Sequence, residues 1–156
     1  MTTSHAISSN EGGRREKSAR SEGERAFLLD PLVRAFEAGT IDPSGFRHRE
    51  HLYVAWCYLK ALPVEEALLR YVRNLRALTE KLGVPGKFHA TMTWGYVVLL
   101  DGAMRDPELA QTDFDALVSR YPALLDAKRG ALFDYYDAEE LAAAVARERF
   151  VLPRRK

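Results

Sequence analysis

Three histidines are the residues of this sequence whose type and spacing are best suited to chemistry. His48 and His51 stand three residues apart in the run FRHREHLYVAW, and His89 follows in the run KFHATMTW. If the first run is helical, His48 and His51 share one helix face about one turn apart, the spacing of half a metal site. Thr91 and Thr93 come directly after His89, and their hydroxyls could orient a ligand by hydrogen bonding. The sequence therefore predicts a polar site where two helices begin.

Each histidine extends the apolar stripe of its own segment, so we expect all three rings to point into the space between helices. A buried imidazole without a hydrogen bond costs about 1 to 3 kcal/mol, which favours a metal or a hydrogen-bond network. Near a helix N-terminus the helix dipole favours the neutral ring, the form that binds metals or accepts a proton. The preferred hypothesis is a small-molecule enzyme in which His48, His51 and His89 bind a divalent transition metal, either Zn, Fe, Cu or Ni. The same three histidines and Thr93 are the catalytic candidates.

Two other interpretations of the histidines stay open at this point. The rings could serve metal-free acid–base chemistry or ligand binding, or they could be structural and tie two helices together through carbonyls and hydroxyls. In the structural case the protein is a non-catalytic helical module that binds a small ligand or a protein partner. Thr91 and Thr93 are then hydrogen-bond partners within the fold.

Two basic residues, Arg47 and Lys87, stand beside the histidine segments at predicted helix starts. Free backbone amides and the helix dipole attract anions at such positions. Lys87 and Thr91 are therefore the candidate substrate-binding residues, and a carboxylate or phosphate is the group that Lys87 would bind. The alternative is that both cations are solvated surface residues, as most exposed lysines and arginines are.

The apolar pattern predicts an all-α fold, a single compact bundle of five or six helices. Helical periodicity covers residues 24–38, 47–62, 63–83, 88–104, 114–120 and 137–149. Pro31 could divide the first segment, Gly39 and Gly83 are expected stops, and Asp113 and Asp137 are candidate N-caps. No run alternates with period two between turn signals, so no strand is predicted.

Composition predicts one domain, over residues 24–156, after a disordered tail over residues 1–23. The tail contains serine, glycine and charged residues without an apolar period, whereas 47% of the whole 156-residue chain is hydrophobic. The tail has no continuous apolar region of the kind that signal peptides contain. Cys57 is the single cysteine, which excludes a disulfide within the chain, and a cytoplasmic location is the resulting expectation.

The expected partner is a small-molecule ligand. Net charge is +1 and basic residues alternate with acidic ones, so we expect no nucleic-acid partner. No run approaches the roughly 18 apolar residues that cross a bilayer, so we expect no membrane partner. There is no glycine-rich phosphate loop, hence no nucleotide cofactor is expected. A homo-oligomer is compatible with the sequence.

The runs FRHREHLYVAWCYL and GKFHATMTWGY, with FDYYDAEEL and ARERFVLP near the end, resemble a family of small, uncharacterised helical bacterial proteins. The family pattern is FxHxxHLxxA followed by KxHxTxT. It matches this chain at Phe46, His48, His51, Leu52, Ala55, Lys87, His89, Thr91 and Thr93. The resemblance implies that these motifs occur together, which suits either a shared site or a shared structural clasp, and it brings no activity with it.

Overall fold

The computed structural model describes residues 21–109 and 113–154, and within these ranges the chain is helical with no strand. The eight α-helices are α1 (21–28), α2 (Pro31–Ala38), α3 (His48–Ala61), α4 (Val64–Lys81), α5 (Ala90–Met104), α6 (Phe114–Arg120), α7 (Ala138–Ala142) and α8 (Ala144–Glu148). Four 3₁₀ turns lie between them, at Pro85–Lys87, Pro107–Leu109, Pro122–Leu125 and Ala131–Asp134. The all-α prediction is confirmed. Eight helices occur instead of five or six because the first and last predicted helices are each divided in two.

The helix ends follow the predicted signals. Asp30 caps α2 by accepting hydrogen bonds from the backbone N–H groups of its first turn, so the chain divides just before Pro31. Gly39 and Gly83 follow α2 and α4 with φ angles of +62° and +71°, which glycine adopts without steric cost. Of the predicted tail, residues 1–20 lie outside the described residues, and residues 21–23 belong to α1.

The last two predicted N-caps are confirmed. The side chain of Asp113 accepts a hydrogen bond from the N–H of Ala116 at the start of α6. Asp137 does the same for Glu140 at the start of α7. Because each aspartate satisfies a backbone donor that has no partner inside the helix, even these short helices have defined beginnings.

Three long helices, α3, α4 and α5, pack against one another and form the centre of the structure. Their contact surfaces bury side chains such as Val54, Tyr58 and Leu100 completely. Apolar residues are distributed around α5 rather than along one stripe, and most of its residues are at least partly buried. None of the helices in the described part of the chain combines the length and the apolar character needed to span a bilayer.

The C-terminal segment is held against α5 by partly buried hydrogen bonds. Thr91, which is fully buried, donates its hydroxyl hydrogen to the carbonyl of Arg149 at 3.0 Å and accepts from the N–H of Val151 at 3.2 Å. The hydroxyl of Tyr136 donates to the carbonyl of Val151 at 2.6 Å. The chain end therefore covers one side of α5 and fixes where that helix begins.

Candidate functional site

A cavity of about 520 Å³ lies between α3, α4 and α5 and is bounded by the loops at residues 41–47 and 82–89. We call it the histidine cavity, because His48, His51 and His89 all line it. The predicted residues Thr93 and Lys87 also line it, whereas Thr91 does not. Its other walls are mainly apolar, formed by Ile41, Phe46, Leu52, Ala55, Leu75, Leu78, Phe88, Met92 and Val97 among others. The volume falls within the roughly 300 to 1,000 Å³ of typical small-molecule sites.

His89 is the N-cap of α5, not a residue of its first turn as the sequence predicted. Its Nδ1 accepts a hydrogen bond from the N–H of Met92 at 3.2 Å. Its Nε2 lies 2.8 Å from the carbonyl oxygen of Leu141 in α7, and only a protonated Nε2 can donate to that oxygen. Both ring nitrogens are therefore occupied by backbone groups, and this 8% exposed side chain links the start of α5 to α7.

His48 makes a second link between distant parts of the chain. Its Nε2 lies 2.8 Å from the carbonyl oxygen of Leu124, in the 3₁₀ turn after α6, so this nitrogen is the ring's N–H donor. The ring packs edge-on against Tyr96, with 4.6 Å between the ring centroids. Burial lowers the pKa of His48 because it disfavours the charged ring. His48 is thus a neutral ring that holds α3 to the C-terminal half.

His51 differs from the other two because its hydrogen bond is to a side chain across the cavity. Its Nδ1 lies 3.2 Å from the hydroxyl oxygen of Tyr71 in α4. Tyr71 is buried, which raises the pKa of its hydroxyl, so the hydroxyl stays protonated and donates a hydrogen bond to Nδ1. The remaining hydrogen of the neutral ring is then on Nε2.

The charge state of His51 follows from its surroundings. Burial is the largest cause and the nearby His48 the second, and together they lower the pKa of His51 from 6.5 to about 4. Phe46 packs on the ring, with 4.1 Å between centroids, and adds to its apolar surroundings. At neutral pH the ring is uncharged, and His51 presents a neutral N–H donor rather than a cation.

The two threonines have different positions. Thr91 is buried in the bonds to the C-terminal segment described above, so its predicted role in substrate binding does not suit its place in the fold. Thr93 is half-buried on the cavity wall, where its hydroxyl donates to the carbonyl of His89 at 2.8 Å. The oxygen of Thr93 retains lone pairs that could accept a hydrogen bond from a ligand.

The arrangement of the rings does not fit the predicted divalent metal. A metal needs unprotonated ring nitrogens that point at one ion. Those of His89 are both committed to backbone groups, and the unprotonated Nδ1 of His51 accepts from Tyr71, so among the three rings only Nδ1 of His48 is left. Across the residues that the structure describes, no three His, Cys, Asp or Glu side chains form a metal-ligand group. The predicted Zn, Fe, Cu or Ni ligand set of His48, His51 and His89 is therefore not assembled here.

Tyr71 is the site residue that sequence reasoning missed. It lies buried among the apolar residues of α4, a place typical of an aromatic core residue. A phenol hydroxyl on a buried helix face requires a hydrogen-bond partner. That requirement was visible in the sequence, but the identity of the partner depends on how α3 and α4 pack.

Comparison of the chain with family models, with curated proteins and with solved structures finds no match. The resemblance to a family of small helical bacterial proteins therefore stays a prediction. Its two interpretations, a shared site and a shared clasp, correspond to different histidines in this structure: His48 and His89 bond to distant backbone carbonyls, and His51 bonds to a side chain across the cavity.

Proposed function

We propose that this protein binds a small, largely apolar molecule in the histidine cavity, with the N–H of His51 as a donor to an oxygen of that molecule. The observation that carries the proposal is the His51–Tyr71 hydrogen bond within an otherwise mainly apolar wall. The hydroxyl of Tyr71 fixes the ring through Nδ1 and leaves Nε2–H for another acceptor. Small-molecule sites are commonly built in this way, from apolar walls and a few fixed polar groups.

Binding is better supported than acid–base catalysis by the same histidines. A general base works best with a pKa near the operating pH. The pKa of His51, lowered to about 4, makes the ring a weak proton acceptor at neutral pH. The unprotonated Nδ1 of His89 accepts the N–H of Met92, so His89 would have to give up that bond to take a proton. Burial lowers the pKa of His48, which makes its ring a weaker proton acceptor. The proposal therefore corresponds to the ligand-binding form of the non-catalytic helical module.

The test is an NMR titration of the ¹⁵N-labelled protein with 1-octanol, an apolar molecule that carries one hydroxyl oxygen. We expect saturable chemical-shift changes that centre on His51, Ala55, Leu75 and Met92. Thr93→Phe adds a ring to the cavity wall and should weaken octanol binding about tenfold or more, because it occupies space that the ligand needs.

Val98→Phe is the matched control. Val98 lies on the same helix, α5, is 52% exposed and does not line the histidine cavity. This variant should bind octanol as the wild type does. Absence of saturable shifts in the wild type, or equal binding by Thr93→Phe with a native-like spectrum, would refute the proposal.

A further inference from the structure

The rim of the histidine cavity carries two cations without an acidic neighbour in ion-pair distance. Arg47 and Lys87 both line the cavity and both are exposed, one on each bounding loop. Among the described residues, neither side chain has a carboxylate within 4.0 Å, whereas Arg49, Arg70 and Arg105 do. Two charges on opposite loops therefore face the same opening with their hydrogen-bond donors available.

The described lining residues include no aspartate or glutamate. The two acids nearest in sequence to Arg47 are engaged elsewhere. Asp42 accepts hydrogen bonds from both the N–H and the hydroxyl of Ser44 in its own turn. Glu50 accepts from the backbone N–H of Arg47 at 3.0 Å and so closes the first turn of α3. Both carboxylates keep their charge, but these hydrogen bonds hold them outside ion-pair distance of the Arg47 and Lys87 side chains.

Two further cations contact the loop that carries Lys87. The guanidinium of Arg76 lies over the ring of Phe88, 4.5 Å from its centroid. Arg147 donates to the carbonyl of Gly86 at 3.4 Å. These contacts place two further positive charges beside this loop, and both add to the potential at the cavity opening.

The exposed position of the two cations at the cavity rim also determines where the charged group of a ligand can lie. An anion carried fully into an apolar cavity would lose its hydration at great cost, whereas an anion at an exposed rim keeps part of it. The apolar interior then receives an uncharged body. The N–H of His51 can donate to an oxygen of a neutral molecule or of an anion. The rim cations are therefore the groups that distinguish an anion from a neutral molecule.

We infer that the ligand of the histidine cavity is an amphiphilic carboxylate, with an apolar body inside the cavity and its carboxylate between Arg47 and Lys87. This inference rests on the proposed function. The planar guanidinium of Arg47 can bind both oxygens of a carboxylate at once, and the ammonium of Lys87 can add a further hydrogen bond. This arrangement also gives a role to the exposed Lys87, which the sequence proposed as the residue that binds a negative group.

The test compares octanoate with 1-octanol, which differ in charge but share the apolar body. NMR titrations at pH 7.5 and low ionic strength should give octanoate at least about fivefold tighter binding than octanol. The double variant Arg47→Gln/Lys87→Gln should remove that preference, so that the ratio of octanoate to octanol affinity, measured within the same variant, falls to about one. Added sodium chloride should weaken octanoate but not octanol. Lys128→Gln is the matched control, since Lys128 is exposed and is not among the residues that line the cavity.

The outcomes separate this inference from the proposed function. Equal affinities for octanoate and octanol, or a preference that persists in the double variant, would overturn the inference and leave the proposed function standing. If neither compound binds, the proposed function fails and the inference with it. Octyl phosphate provides the third comparison, and tighter binding of octyl phosphate than of octanoate would overturn the assignment of a carboxylate.

Discussion

Replacement of His89 tests whether this histidine is a structural clasp. In His89→Ala the N-cap of α5 is lost, which costs about 0.5 to 2 kcal/mol. The carbonyl of Leu141 also loses its donor in a buried position, at a cost of about 1 to 3 kcal/mol. The free energy of unfolding should therefore fall by about 2 to 4 kcal/mol, because both hydrogen bonds of the His89 ring are lost.

His89→Asn separates the two contributions. Asparagine is a good N-cap and can accept the hydrogen bond from Met92, but its side chain is too short to reach Leu141 as well. We expect the stability of His89→Asn to lie between that of the wild type and that of His89→Ala. Hydrogen exchange should be faster around Leu141 in both variants, and faster at the start of α5 in the alanine variant alone.

The measurement is urea denaturation at pH 7.5, followed by far-UV circular dichroism and analysed by linear extrapolation with the m-value checked for constancy. A loss smaller than about 0.5 kcal/mol in His89→Ala is within the range of ordinary surface substitutions and would refute the clasp. The ring of His89 would then be available to a ligand or metal, and the three-histidine hypothesis would have to be taken up again.

Three other predictions concern pH, close packing and the C-terminal segment. The folded-state pKa of His51, about 4, lies below the unfolded value of 6.5, so the unfolded state binds the proton first as the pH falls. The wild type should therefore lose about 2 kcal/mol of stability between pH 7.5 and pH 5. An equal loss in His51→Gln would contradict the lowered pKa of His51. A Cβ on Gly130 would lie 2.0 Å from a backbone oxygen, so Gly130→Ala should lower the melting temperature strongly. At Gly102 the added Cβ meets nothing within 4 Å, so Gly102→Ala should be neutral or stabilising by up to about 1 kcal/mol. Similar melting temperatures for Gly130→Ala and Gly102→Ala would refute the packing assignment. Thr91→Val removes two partly buried hydrogen bonds to the backbone, which should cost about 1 to 3 kcal/mol in total and speed hydrogen exchange over residues 149–151. Unchanged exchange there would argue against the contact.

The helices and their ends were largely predictable because they depend on residues close together in the sequence. Asp30 caps a helix within its own turn, although it was not among the predicted caps, and Gly39 ends that helix with the positive φ that glycine permits. The start of α5 was predicted two residues too early. His89 has the apolar-stripe spacing of a helical residue, yet its side chain caps the helix instead, and the periodicity alone does not distinguish the two.

The sequence analysis also assigned five residues to one functional site. All five line one cavity: His48, His51, His89, Thr93 and Lys87. The sequence did not separate their roles. The carbonyls of Leu124 and Leu141, which occupy the rings of His48 and His89, lie 76 and 52 residues away along the chain. Every residue has a backbone carbonyl, so no pattern of side chains in the sequence predicts these bonds.

The sequence by itself determined that the chain is helical, where most helices begin and end, and which polar residues stand at the starts of α3 and α5. These properties follow from local backbone preferences, capping and apolar periodicity, each of which acts over a few residues. Only the tertiary structure decided that His89 is a clasp, that Tyr71 fixes His51, and that Arg47 and Lys87 share one rim. Those outcomes depend on which distant parts of the chain packing brings together, since a hydrogen bond forms only between groups that approach to about 3 Å.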